Sequence, residues 1–565
     1  EYGGGAWCLL GEPGAFAYVE QTTQQVMAAR AGDGPAEVTA APPAGEQWHH
    51  GGLVVGPAGS VLGIRERHHP GGVERSVVRL DPTNPARESV LCKGRDFYGS
   101  LAPSPDGTRL AWVTWDHPDM PWDATELWVG ELALGGVELA GRPRRVGAGP
   151  LDGASVDQPL WLDDDTLAFV ADPSGWWRPW RWRRGQEPEP LSDLEADFQG
   201  PAWTLGQHTI APVDEAALGC SWRRDGLDRI GVIDRRAMRR ELSQPCVAVS
   251  ALCGHAGGLA WLGSTPAAPS AVWWAGVRTA DRPARVAGSD APLADDDVSV
   301  AESVRVRAPE GHDVHAIFYA PRLAGWRGPA AEAPPLVVQC HGGPTAGADA
   351  GFDPLVQMLT TRGYAVAVVN YRGSTGYGRD YRRALDGRWG EADVDDCAAV
   401  AGWLAERGRV DGSRMAIRGQ SAGGLTALNA LVRSELFAAV VSWYGVTDLV
   451  RLAETTHDFE SRYTDRLIGP LPAARDRYTE RSPLHRVDEM TGAVLLLQGE
   501  DDPVVPPEQA RSMAEALQAR GVRCELRFFA GESHGFRKAE TLVAAFEAEL
   551  AFYREVLLGA PGGVA

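Results

Sequence analysis

A serine between two glycines, Gly419-Gln420-Ser421-Ala422-Gly423, follows the short apolar stretch Met415-Ala416-Ile417 and precedes the helix-forming residues Leu425 to Val432. A strand–turn–helix junction of this kind is a nucleophile elbow, in which small neighbours let the backbone pass and hold the hydroxyl out of the sheet. A hydroxyl becomes a useful nucleophile only when a base takes its proton, so an imidazole and an orienting carboxylate are required downstream. The run Ala493-Val494-Leu495-Leu496-Leu497 reads as a buried parallel strand and leads into Gln498 through Pro506. A helix over Glu508 to Arg520 and a strand over Cys524 to Phe529 come next, and then Gly531-Glu532-Ser533-His534-Gly535-Phe536. Ser, Asp, His, each on a loop after a strand, is the chain order of the α/β-hydrolase arrangement. Three acids compete for the carboxylate. Asp502 is favoured because Pro503-Val504-Val505-Pro506 turns the loop back over the strand ends; Asp501 is second, and Glu500 reads as solvated.

His534 is the base. Most of the other histidines, including the pairs His49-His50 and His68-His69, read as surface residues. A tetrahedral intermediate needs donors aimed at its oxyanion. The Ala422 N–H, at a helix N-terminus, is one. The second is expected after an earlier strand, where Leu336 to Cys340 runs into His341-Gly342-Gly343-Pro344; Gly343 is the preferred donor.

As a set, these motifs resemble the prolyl oligopeptidase family of serine peptidases, near its acylaminoacyl-peptidase and dipeptidyl-aminopeptidase-like bacterial members. The resemblance rests on His341-Gly342-Gly343-Pro344, Asn370 through Gly378, Gly419 through Gly424, Phe459-Glu460-Ser461-Arg462-Tyr463, Gly499 through Pro506, and Ser533-His534-Gly535-Phe536. Ser104-Pro105-Asp106-Gly107 and Trp115-Asp116-His117-Pro118 extend it into the first half. It implies a β-propeller covering an α/β-hydrolase domain, and short peptides or aminoacyl amides as substrates. Trp443, Tyr444, Phe459 and Tyr463 become candidates for the substrate pocket, and Arg462 for a substrate carbonyl or carboxylate. Recognition of a free amine calls for a carboxylate, for which Glu1, Asp116, Asp119 and Asp123 are open choices.

The positioning elements divide in two. Residues 1–295 show short apolar strands closed by Gly, Pro, Asp and Asn, recurring about every 50 residues, a propeller-blade period. The marks are Ala15 to Tyr18, Val61 to Ile64, Leu110 to Val113, Leu167 to Val170, His208 to Ala211 and Leu259 to Leu262. Six blades are therefore expected. The family usually has seven, and Glu1 to Trp7 resembles the interior of a motif, so a further N-terminal blade is expected outside this sequence. Residues 296–565 alternate strands and helices, as in a doubly wound, mainly parallel sheet. The boundary is expected at Ala291 to Asp297.

Of 20 tryptophans, 16 precede residue 300; inter-blade packing is preferred over carbohydrate binding. A net charge of −20 argues against a nucleic-acid partner. No run of 18 apolar residues exists, so no membrane-spanning segment is expected. Eight scattered cysteines without Cys-x-x-Cys spacing read as reduced thiols of a cytoplasmic protein, and no metal or cofactor motif is expected. Homo-oligomerisation is left open. The leading function is a serine peptidase acting near the N-terminus of short peptides. An esterase or small-molecule amide hydrolase with the same triad is the alternative, and a non-catalytic propeller scaffold the third.

Overall fold

The computed structural model describes residues 3–559 apart from 86, 134–135, 215–216, 235, 256 and 279–281. Six four-stranded antiparallel sheets span residues 7–37, 47–93, 97–145, 156–190, 210–241 and 248–287. The first strands of consecutive sheets pack against one another, so they line the common centre. The fourth strands, such as Arg239–Glu241 and Ala284–Ala287, are exposed at the rim. Five of the six apolar marks fall on second strands. His208 to Ala211 instead leads into the first strand of its blade, Ile210–Asp214, because the true second strand, Ala217–Arg224, is interrupted by glycine and polar residues.

Tryptophans fill the seams between blades. Trp112, Trp177, Trp222 and Trp261 are buried, and the Trp161 indole donates to the Ala102 carbonyl across two sheets at 2.9 Å.

The second half holds one eight-stranded sheet. Its spatial order is Glu302–Arg307, Asp313–Tyr319, Ala365–Asn370, Leu336–Cys340, Met415–Gln420, Ala439–Trp443, Ala493–Gly499, Cys524–Phe529. The first two pairings are antiparallel and the rest parallel. Central strands are apolar on both faces, as a sheet covered by helices on both sides must be. Alternation divides Ala365, Ala367 and Val369 from Val366 and Val368 into two separate cores. The first core takes the helices Ala392–Glu406, Ala422–Arg433 and Pro507–Ala519; the second takes Pro354–Thr360 and the long terminal helix Ala539–Leu558.

Buried polar contacts join the domains. Asp172, fully buried, accepts from Arg382 at 2.6 Å and Arg379 at 3.1 Å, and Asp197 accepts from the Gly376 and Gly378 N–H groups. Arg75 donates to Asp458 at 2.8 Å, and the Trp203 indole donates to the Thr345 carbonyl at 2.7 Å. Among the described residues no helix is long and apolar enough to cross a membrane. All eight cysteines are free thiols, four of them buried.

Candidate active site

The elbow is shaped by close backbone approaches. Ser421 sits at φ 53°, ψ −119°, between the strand Met415–Gln420 and the helix Ala422–Arg433. A methyl group at residue 419 would lie 2.0 Å from the Gly423 carbonyl oxygen, and one at residue 423 would lie 2.6 Å from the Cys340 and His341 oxygens. Only glycine fits at either position. The strained φ at Ser421 is held by this packing.

Two later loops come back to the same strand ends. Asp502 lies after Ala493–Gly499, and His534 after Cys524–Phe529. His534 Nε2 is 2.9 Å from Ser421 Oγ, and its Nδ1 is 2.8 Å from Asp502 Oδ2. Asp502 can only accept as an anion, so Nδ1 carries the proton and Nε2 is free to take the one on Ser421. The carboxylate is buried and immobilised. Its Oδ1 accepts from the Val504 and Val505 N–H groups at 2.9 Å each, and its Oδ2 also from the Gln498 amide at 3.2 Å. Asp501 and Glu500 are exposed.

Ser421 opens onto a cleft of about 440 Å³. Gly342, Gly343 and Ala422 line one side. Ala422 begins its helix, where first-turn N–H groups have no intrahelical acceptor. The Gly343 turn is pinned by His341, whose Nδ1 meets the Gly342 carbonyl at 2.8 Å and whose Nε2 meets the Ser374 hydroxyl at 2.7 Å. A carbonyl only accepts, so Nδ1–H donates, and burial pushes the ring's pKa down to about 4, which favours the neutral form at pH 7. Tyr371 stacks on this ring at 4.3 Å.

The propeller closes the opposite wall with Trp203, and Trp389, Leu452, His457, Glu460, Tyr463 and Val504 contribute further lining. Burial raises the Tyr444 hydroxyl to about 12, so it stays protonated and donates to Gln420 at 3.0 Å.

A model of the prolyl oligopeptidase family matches residues 350–560, which carry all three of Ser421, Asp502 and His534. The solved structure of a Mycobacterium tuberculosis puromycin-hydrolyzing peptidase is 37% identical, with a TM-score of 0.93, covering 100% of this chain and 88% of that one. The chain belongs to the prolyl oligopeptidase family. Dipeptidyl aminopeptidase BIII of Pseudoxanthomonas mexicana is 35% identical over 217 residues, 37% of this chain and 32% of that protein. An acylamino-acid-releasing enzyme of Arabidopsis thaliana is 29% identical over 226 residues, 38% of this chain and 29% of that protein. The chain thus spans about a third of the length of these curated relatives, over the catalytic half.

Within this family framework the structure brings Ser421, Asp502, His534, Gly343, Ala422, Tyr444 and Tyr463 together around one cleft. Three other expected pocket residues lie elsewhere. Trp443 points to the opposite face of its strand, where its indole donates to Glu549 at 2.8 Å. Phe459 is buried against Phe97 of the propeller and does not line the cleft, and Arg462 is exposed and paired with Asp465. Among the candidate amine-binding acids, Asp116 pairs with Arg95, while Asp119 and Asp123 pair with Arg466; these three do not line the cleft. Glu1 lies outside the described residues. Glu460, one residue beyond Phe459 in a quoted motif, is the acidic side chain that does line it. Trp203 carries no local sequence signal, since its place depends on domain docking.

Proposed function

We propose that the chain is a serine peptidase that hydrolyses amide bonds near the N-terminus of short peptides through an acyl-enzyme on Ser421. The observation that carries this reading is the unbroken hydrogen-bonded line from buried Asp502 through His534 to Ser421, at the mouth of a cleft roofed by the propeller.

Ser421 Oγ attacks the substrate carbonyl as its proton passes to His534 Nε2, and Asp502 stabilises the resulting imidazolium. The Gly343 and Ala422 N–H groups receive the oxyanion; removing one such donor commonly costs about 3 kcal/mol of barrier. The imidazolium then protonates the departing amine and the C–N bond breaks. Water, deprotonated by the same nitrogen, releases the acid and restores Ser421. The names of the catalytic-half relatives, a dipeptidyl aminopeptidase and an acylamino-acid-releasing enzyme, support action near a peptide N-terminus. The whole-chain likeness to a puromycin-hydrolyzing peptidase supports a second reading, a small-molecule amide at the same site.

A fluorophosphonate probe should label the native chain and fail on Ser421→Ala; equal labelling of both would refute the serine nucleophile. Matched aminoacyl, acetyl-aminoacyl and dipeptidyl anilides, with puromycin and an ester control, rank the substrate readings. Activity on the ester alone would overturn the peptidase reading.

A further inference from the structure

On the second blade, a group of side chains that acyl transfer does not use is gathered on one sheet face: His49, Glu66 and His68. Strands Gln47–Val55 and Val61–His69 are antiparallel neighbours, with His49 directly opposite Glu66. Residues two apart on a strand share a face, so Glu66 and His68 point the same way, and His49 joins them from across the ladder. The two imidazole rings lie 4.9 Å apart. One donor atom from each of the three residues lies within 4.8 Å of the other two, the one such group among the described residues.

We propose that His49, Glu66 and His68 form a binding site for one divalent transition-metal ion of the zinc class, with a fourth position open to water. Two imidazoles and one carboxylate suit zinc, cobalt or nickel; calcium and magnesium prefer an all-oxygen set. Two ligands spaced i, i+2 on one strand and a third on its neighbour converge with little rearrangement. Metal–ligand bonds near 2.0–2.1 Å in a tetrahedral set place donor atoms about 3.3 Å apart, which side-chain rotation at His49 and His68 can reach. His68 Nε2 now lies 2.6 Å from Glu66 Oε1. The ion replaces that hydrogen bond, and the ring proton moves to Nδ1 so that the Nε2 lone pair faces the metal.

The carboxylate is already oriented from behind. Glu66 Oε2 accepts from Arg75 Nε at 2.6 Å, and Arg75 is itself buried and anchored on the Asp96 carbonyl at 3.0 Å and on Asp458. Outer partners of this kind hold metal ligands in place and raise affinity. The three ligands are half-buried, so an ion can reach them from solvent.

The full chain, stripped with a chelator, is titrated with Zn²⁺ by calorimetry and with Co²⁺ by its visible d–d bands. Native protein is expected to bind one equivalent with the band pattern of a four-coordinate nitrogen–oxygen site. His49→Gln and His68→Gln are expected to lose that equivalent, while circular dichroism and thermal unfolding of the metal-free variants match the native chain. Absence of a bound equivalent in the native protein overturns the proposal. So does an equivalent with unchanged bands in His49→Gln or in His68→Gln.

Discussion

Replacing Asp502 by asparagine tests the proposed division of labour most sharply, because the side chain keeps its shape and loses only its charge. The Val504 and Val505 N–H groups both point at Oδ1. They will hold the amide oxygen there, which places the new NH₂ where Oδ2 stood, facing His534 Nδ1 and the Gln498 amide. A donor opposite Nδ1 forces the imidazole proton onto Nε2, and that nitrogen can no longer accept from Ser421 Oγ, 2.9 Å away. The ring stays in place in the wrong tautomer. Losses in comparable triads are about 10⁴ in kcat, or about 5.5 kcal/mol of transition-state stabilisation. The assay is anilide hydrolysis at saturation, with KM measured separately and thermal unfolding as a control. A kcat within tenfold of the native value, in a folded protein, would refute the role given to Asp502. Asp501→Asn, at an exposed position, should leave kcat unchanged.

Gly423→Ala places a methyl group 2.6 Å from two carbonyl oxygens of the neighbouring loop. Overpacking of this kind costs about 1–3 kcal/mol of stability, so the variant should melt earlier, and the shifted turn beside the oxyanion donors should slow anilide hydrolysis. Glu549→Gln removes the counter-charge of Arg418, a fully buried pair at 2.7 Å. Leaving one buried charge uncompensated costs about 3–5 kcal/mol, read as a lower urea midpoint for the catalytic domain. His341 titrates near 6.5 when unfolded and, pushed down by burial, near 4 when folded. Between those values the unfolded chain binds the extra proton, so stability falls as pH drops from about 6.5 to 4 and is level above. His341→Gln should flatten that part of the stability–pH curve; an unchanged slope in the variant would exclude His341 as its source.

The proposed catalytic line is legible in the sequence because each member is announced locally. Ser421 has its strand, glycines and helix, while Asp502 and His534 each follow a buried strand of one sheet. Parallel pairing then brings their loops to a common edge, whatever their separation along the chain. The cleft wall is not legible in this way. Trp203 reaches the site only because the domains dock, a contact between residues 142 positions apart. The misplacement of Trp443 has a simpler cause. Alternation along Ala439–Trp443 sends Ala439, Val441 and Trp443 to the core beneath the terminal helix, a period-two count that motif matching passes over. Similarly, His49 and His68 look like unrelated surface residues until strand register sets them on one face.

The Trp203–Thr345 hydrogen bond has a consequence for what the chamber can admit. Thr345 is gripped from the propeller side by that indole and from the hydrolase side by the Tyr463 hydroxyl, at 2.7 Å. Lifting the roof therefore strips away one wall and loosens the turn beside Gly343. A guest bulky enough to prise the halves apart would flood the very room it had forced open, and size would exclude it without any gatekeeping residue.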